Sequence, residues 1–155
     1  MLVILFSLIF NGHAMQMERF NRAGISLPVA SGSWQKMQSL PALELKDFDV
    51  VYANSQNKSN KRFISTQFGN TSQICQGEYA SLTKNGFKVI TNSKPGWTCI
   101  IQAEKGSDKR FTAVKEVRRK ANKHPVLISQ ALLIEVGAGK YQDFESWIDT
   151  VKVLR

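Results

Sequence analysis

The stretch Glu135–Val151, EVGAGKYQDFESWIDTV, contains the clearest secondary-structure signal in the chain. Acidic residues stand in the first turn of the predicted helix and basic residues in the last, as the helix dipole favours: Asp143 and Glu145, then Lys152 and Arg155. Apolar side chains recur every three or four residues, as on one face of a helix: Tyr141, Phe144, Ile148 and Val151, flanked by Trp147 and Leu154. We therefore expect an amphipathic helix from Tyr141 to the C-terminus, packed on a sheet.

The residues directly before this helix, Gly137-Ala138-Gly139-Lys140, resemble part of a phosphate-binding loop. That loop requires a further glycine five positions before the second one and a hydroxyl residue after the lysine. Here Ile134 and Tyr141 occupy those two positions. We interpret the glycines as a turn in which a strand reverses into the helix, using backbone conformations open chiefly to glycine.

Upstream of the turn, the run VLISQALLIEV over 126–136 is long, apolar and typical of a strand. The segment Lys109–Lys120 is ambiguous, because its composition suits a helix while the turn-forming stretch 122–125, NKHP, favours a strand slightly. In a strand, Arg118 and Lys120 would project from one face and Arg119 from the other. In a helix, Lys115, Arg118 and Arg119 would cluster on one side.

Two hairpins and a first helix complete the predicted fold. Residues 48–53 and 61–68 are β-prone runs joined by a polar loop, and residues 87–92 and 97–104 flank the turn SKPG. Between the hairpins, residues 71–84 have helical spacing, with Thr71 as the cap and Asn85-Gly86 as the stop. We predict one α+β domain over 46–155, with an antiparallel sheet of five to six strands, preceded by an irregular arm over 15–45 that Trp34 anchors.

The first fourteen residues, MLVILFSLIFNGHA, are typical of a secretory signal cleaved after Ala14. The apolar run Leu2–Phe10 would span about 14 Å as a helix, half of a ~30 Å hydrocarbon core, so a membrane anchor is the weaker interpretation. The n-region lacks the usual basic residue. We expect a periplasmic or secreted protein with no transmembrane segment in its mature chain.

The two cysteines, Cys75 and Cys99, are predicted to form a disulfide, the usual use of such a pair after export. A zinc site needs more ligands than the mature chain offers, because His124 is its single histidine. A catalytic thiol would need a reducing compartment and a nearby base. We therefore expect a structural disulfide and neither a metal nor a cofactor.

Positive charge is concentrated in one segment of a chain with a formal net charge of +9. Between Lys105 and Lys123, eight basic residues face only two acidic ones, which accounts for six of the nine excess charges. Such a segment attracts anionic partners and accelerates their encounter, although it can also be a merely solvated face. As the binding surface we predict Lys109, Arg110, Lys115, Arg118, Arg119, Lys120 and Lys123, with an acidic protein, an anionic envelope surface or nucleic acid as partner.

Catalytic motifs are weak, so an enzyme is the less favoured class. Five carboxylates could converge in space, as a small secreted hydrolase with acid–base chemistry would require: Glu78, Glu104, Glu116, Glu135 and Asp143. Their spacing selects no pair. Aromatic and basic residues adjoin at Arg62-Phe63 and Arg110-Phe111, as in nucleic-acid platforms, but both rings fit equally well as core residues of strands.

The order of elements over residues 26–155, preceded by SLPVASGSW at 26–34, resembles the exported α/β sandwiches of the PsbP and DcrB type. This resemblance implies a sheet flanked by helices and a role as a non-catalytic accessory or envelope protein. The cysteine pair and the long basic segment depart from it, so it carries no functional residue over to this chain. The resulting hypothesis is an exported binding protein, either an envelope accessory or an inhibitor or immunity-type protein.

Overall fold

The computed structural model describes residues 17–28, 32–37, 48–119 and 127–154. Within these ranges the chain forms two helices, α1 (Thr71–Lys84) and α2 (Tyr141–Asp149). The strands, in chain order, are β1 (Met17–Phe20), β2 (Ile25–Pro28), β3 (Trp34–Lys36), β4 (Val50–Asn54), β5 (Lys61–Gln67), β6 (Lys88–Asn92), β7 (Cys99–Lys105), β8 (Asp108–Arg119), β9 (Leu127–Gly137) and β10 (Lys152–Val153).

Seven of the strands form one antiparallel sheet in the order β3-β4-β5-β9-β8-β7-β6. The predicted α+β class is confirmed, and the sheet is one strand larger than the upper limit expected. The apolar run before Gly137 becomes β9, the central strand, which is hydrogen-bonded on both sides along its length. This pairing satisfies the backbone polar groups of a strand that lies in the core.

The ambiguous basic segment is a strand, β8. It pairs with β7 on one side and β9 on the other, and Phe111, Ala113 and Val117 alternate into the core. This alternation has a period of two, which a strand can bury on one face and a helix cannot. The slight preference for a strand is therefore confirmed over the residues that the structure describes.

One face of the large sheet carries the main core, and α2 and a second sheet cover it. Phe144 and Ile148 of α2 are fully buried in the same cluster as Ile25, Ile64 and Leu133. The second sheet has the order β1-β2-β10, also antiparallel. Just beyond the pairing of β10 with β2, the amide of Leu154 donates a hydrogen bond of 2.9 Å to the carbonyl of Gly24.

Two expectations at the ends of the chain need correction. The arm over 15–45 is not irregular throughout, because its described residues form β1, β2 and β3. These strands have only three or four residues, and pairing with other strands, β1 with β2, β2 with β10 and β3 with β4, stabilises them rather than any local periodicity. The C-terminal helix ends at Asp149 instead of continuing to Arg155, because Lys152–Val153 pairs with β2.

On the opposite face of the large sheet lies α1, which a disulfide joins to β7. Cys75 and Cys99 are bonded, with their Cα atoms 6.3 Å apart, as predicted. The residue that caps the helix is Asn70, whose Oδ1 accepts from the amide of Ser72 at 2.9 Å, and not Thr71. Of the α1 side chains only Thr71 and Leu82 are buried, so the helix is held by few apolar contacts.

The two glycines before α2 have separate structural reasons. Gly137 has φ +120°, and a Cβ there would lie 2.8 Å from the Cα of Asn60, so both conformation and space demand glycine. Gly139 has an ordinary backbone, but its Cβ would lie 2.2 Å from Oε1 of Glu135. The interpretation of a strand-to-helix turn is correct, and close packing explains the second glycine better than conformation does.

Candidate binding site

The basic residues predicted as the binding surface lie on both faces of the large sheet. Arg110 and Arg118 project towards the α1 face, whereas Lys115 and Arg119 project towards the face that α2 covers. This is the separation that a strand imposes on consecutive residues. Lys120, Lys123 and His124, like the predicted signal peptide, lie outside the described residues. The described basic residues of this segment therefore do not form one continuous patch in space.

On the α1 face and at the strand ends, the basic residues of β8 have acidic partners. The ion pairs are Lys109–Glu104 at 3.6 Å, Arg110–Glu78 at 2.7 Å and Arg118–Glu116 at 2.6 Å. The hydrogen bond from Arg118 lowers the pKa of Glu116, and the hydroxyl of Thr71 lowers it further. Such pairs reduce the charge that this strand presents to a partner, and exposed ones contribute little to stability.

On the α2 face, Lys115 and Arg119 bind backbone carbonyls. The Nζ of Lys115 donates to the carbonyl of Gly96 at 2.6 Å and lies 4.8 Å from the centre of the Trp97 ring. Burial lowers the pKa of Lys115. The guanidinium of Arg119 donates to the carbonyls of Asn21 and Arg22 in the β1–β2 turn. These two side chains fasten one segment of the fold to another, so the geometry gives them a structural role.

A larger concentration of positive charge lies at one end of the large sheet. The strand register places Lys61 beside Val136, Gly137 beside Lys109, and Glu104 between Lys109 and Lys88. The adjoining loops, the last residue of β7 and the end of α1 add four more lysines. We call this region the basic end and define it by Lys58, Lys61, Lys84, Lys88, Lys105, Lys109 and Lys140.

Contacts between loops hold the basic end together. The Nζ of Lys105 donates to the carbonyl of Asn85 at 2.9 Å, and the amide of Ala138 donates to Oδ1 of Asn60 at 2.8 Å. Three carboxylates lie nearby, in the last turn-side residues of β7, at the start of β8 and in the first turn of α2: Glu104, Asp108 and Asp143. The seven lysines of the basic end outnumber them, so this end carries an excess of positive charge.

An open cleft crosses the α1 face and reaches the basic end. Its first part, about 450 Å³, has an apolar floor of Phe63, Ile134 and Val136, with Phe48 beside it and Lys58, Lys61 and Arg110 at its edge. Its second part, about 420 Å³, lies between β8 and α1. The two parts share Ser59, Arg110 and Val136. The guanidinium of Arg110, whose side chain is 33% exposed, therefore stands between the apolar first hollow and a second one of mixed lining, which includes Glu78 and Asp108 as well as Leu82 and Phe87.

A buried ion pair on the other face was missed by reasoning from sequence. The Nε of Arg62 donates to Oε2 of Glu135 at 2.7 Å, and these side chains are only 11% and 2% exposed. The guanidinium lies 4.1 Å from the ring centre of Trp34 and 4.7 Å from that of Trp147. Burial raises the pKa of Glu135, and Arg62 offsets part of that rise. The signal was a carboxylate within an otherwise apolar strand, because a buried charge requires a partner.

The five carboxylates considered for hydrolysis do not all converge; only Asp143 lies near another of them, and its charge contributes to the raised pKa of Glu135. Glu78, Glu104, Glu116 and Glu135 each lie within 4 Å of a different basic residue, on different parts of the sheet. Within the described ranges, no group of three or more histidine, cysteine or acidic residues is arranged to hold a metal ion. No helix in those ranges has both the length and the apolar content to span a bilayer.

Comparisons with known proteins identify the fold. The chain is similar to the solution structure of cyanobacterial PsbP (CyanoP) from Synechocystis sp. PCC 6803, with a TM-score of 0.52 and 9% sequence identity. The similarity covers 89% of this chain and 91% of that one. No protein-family model and no curated protein matches. The expected PsbP-like sandwich is therefore confirmed for the fold, and an identity of 9% says nothing about individual functional residues.

Proposed function

We propose that this protein is an exported, non-catalytic binding protein that recognises an acidic partner through a cationic surface. It would act as an envelope accessory protein or as an inhibitor or immunity-type protein. Three features support this proposal: a signal-like N-terminus, the disulfide between Cys75 and Cys99, and the similarity of the fold to cyanobacterial PsbP. The disulfide supports an oxidising compartment such as the periplasm or the extracellular space.

The observation that carries the proposal is the clustering of seven lysines at the basic end. Long-range attraction depends on charges that lie within about a Debye length, ~8–10 Å, of one another and of the partner. Lysines from separate segments meet there in one row of the sheet and its adjoining loops. We therefore place the contact surface at the basic end, which includes Lys109 and adjoins Arg110. Arg118 is at the opposite end of β8.

Charge reversal at two sites tests this placement. Lys58→Glu with Lys140→Glu changes two exposed lysines of the basic end. The matched control, Arg19→Glu with Lys152→Glu, makes the same change in net charge on the second sheet, where both residues are exposed and flank Ser26. All four substitutions replace an exposed basic residue with glutamate, so the two variants are matched in charge change and in exposure.

The measurement is the binding of a labelled poly-glutamate peptide at low ionic strength. The first variant is expected to bind about tenfold more weakly, with a reduced salt dependence, whereas the control keeps most of the affinity. Equal losses in both variants would mean that net charge alone matters and would contradict a localised site. Tighter binding to a duplex oligonucleotide than to the peptide, lost in the same variant, would instead identify nucleic acid as the partner.

A further inference from the structure

We infer that the cleft beside the basic end is the specificity site for the acidic partner, and that it receives an apolar side chain of an acidic peptide segment. This inference rests on the proposed function and deepens it. The lysines would attract acidic segments in general, and the cleft would determine which of these segments binds tightly. The occupant is thus a protein segment that places a leucine-sized or aromatic side chain next to a carboxylate.

The composition of the cleft defines the first part of this ligand. Phe63, Ile134 and Val136 form an apolar floor, and the rings of Phe48 and Phe63 lie 4.7 Å apart at its side. Apolar surface of this kind gains free energy when a ligand displaces water from it. A volume of about 450 Å³ accommodates one large side chain together with its backbone.

The charges at the edge define the second part. Lys58, Lys61 and Arg110 border the same hollow. The Nε and Nη2 of Arg110 both lie 2.7 Å from Oε1 of Glu78, which orients the guanidinium over the cleft. A fixed guanidinium is suited to a carboxylate, because it presents several donors in one plane.

The position of Arg110 favours a peptide over a lipid. It stands between the two hollows, so an acyl chain long enough to fill both would have to pass across a charged guanidinium. An acyl chain there would bury the Arg110–Glu78 ion pair in apolar surroundings, and the loss of hydration of both charges is costly. A peptide avoids the cost, since it places one side chain in a hollow and a carboxylate on Arg110.

The experiment compares two labelled peptides that differ at one position, a glutamate-rich decamer with a central leucine and the same decamer with serine. We expect wild-type protein to bind the leucine peptide about 10- to 100-fold more tightly, as burial of one such side chain predicts. Ser59→Trp fills the space that the two hollows share, at an exposed loop position, and leaves the net charge unchanged. It should abolish the preference and keep the salt-dependent binding of both peptides.

The outcomes separate this inference from the proposed function. Equal affinity of wild type for the two peptides, or a preference that survives Ser59→Trp, would contradict the role of the cleft in specificity. Neither result would contradict the proposed contact at the basic end. Failure of both peptides to bind at low salt would overturn the proposed function itself. Amide chemical shifts of Phe63 and Val136 in wild type provide a check without any variant, because the leucine peptide alone should perturb them.

Discussion

Removal of the disulfide is expected to lower global stability and, separately, to make local opening of α1 more frequent. The perturbation is the double variant Cys75→Ala with Cys99→Ala. None of the α1 side chains belongs to the main core, and the smaller cluster on its side consists of Leu82, Ile101 and Ala103. When α1 opens while β6 stays paired, the bond still closes the chain between Cys75 and Lys88.

The magnitude follows from the lengths of the two loops. In the chain-entropy model a closed loop of roughly 15 residues is worth about 3 kcal/mol, which fits the segment that opens between the bond and β6. For global unfolding the cysteines are 24 residues apart, and the same relation yields about 3.5 kcal/mol. The opening of α1 should therefore become roughly 100-fold more frequent.

Native-state hydrogen exchange measures this effect residue by residue. Amides of α1 should lose protection by roughly 100-fold in the variant through local opening, and amides of β8 and β9, which exchange through global unfolding, should lose it by the somewhat larger factor that about 3.5 kcal/mol gives. Far-UV circular dichroism should show little loss of strand signal. Unchanged protection in α1, or α1 amides that already exchange with the same free energy as the core amides of β8 and β9, would refute the idea that the disulfide anchors a weakly packed helix.

Three further predictions concern the opposite face. Arg62→Met should lower the free energy of unfolding by about 3–5 kcal/mol, because it leaves Glu135 charged and unpaired, and adding Glu135→Leu should recover much of that loss in denaturant melts; no recovery would contradict a pairwise origin. Gly139→Ala should destabilise the fold by about 1–3 kcal/mol, because its methyl group crowds Glu135. The control Gly77→Ala, in open space within α1, should stabilise the fold by about 0.5–1 kcal/mol. Similar melting temperatures for both variants would refute the contact with Glu135. Burial and the hydrogen bond to Glu18 raise the pKa of Tyr52 above its usual 10.0. The phenol therefore ionises at lower pH in the unfolded chain, and the free energy of unfolding should fall as pH rises above about 10. The variant Tyr52→Phe should show a smaller fall.

Elements with strong local signals could be predicted from the sequence. The start of α2, the span of α1, the second hairpin and the strand identity of β9 all depend on periodicity and turn chemistry within a dozen residues. The disulfide followed from the number of cysteines and the predicted export. For β8 the local composition was ambiguous, and only pairing with β7 and β9 decides in favour of a strand.

Other features depend on contacts between distant segments. The strands β1, β2, β3 and β10 are too short to carry a periodicity, and the pairing of β2 with β10 joins segments far apart in the chain. The basic end requires knowledge of the register, because its lysines come from separate turns, strand ends and the last turn of α1. The charge run in the sequence pointed to β8, whereas alternation divides that run between two faces and the fold assembles a different set of cations.

The pairing of β10 with β2 joins segments more than 100 residues apart. During synthesis, one edge of β2 therefore stays unpaired until β10 has been made, and the apolar face of the large sheet stays uncovered until α2 has been made. Such late closure delays compaction of the nascent chain, since long-range contacts form slowly. For a chain that is exported, as we propose, this delay is useful. It keeps the polypeptide unfolded enough to be translocated. The last steps of folding, the packing of α2 and the pairing of β10, then take place on the oxidising side of the membrane, where the disulfide can form.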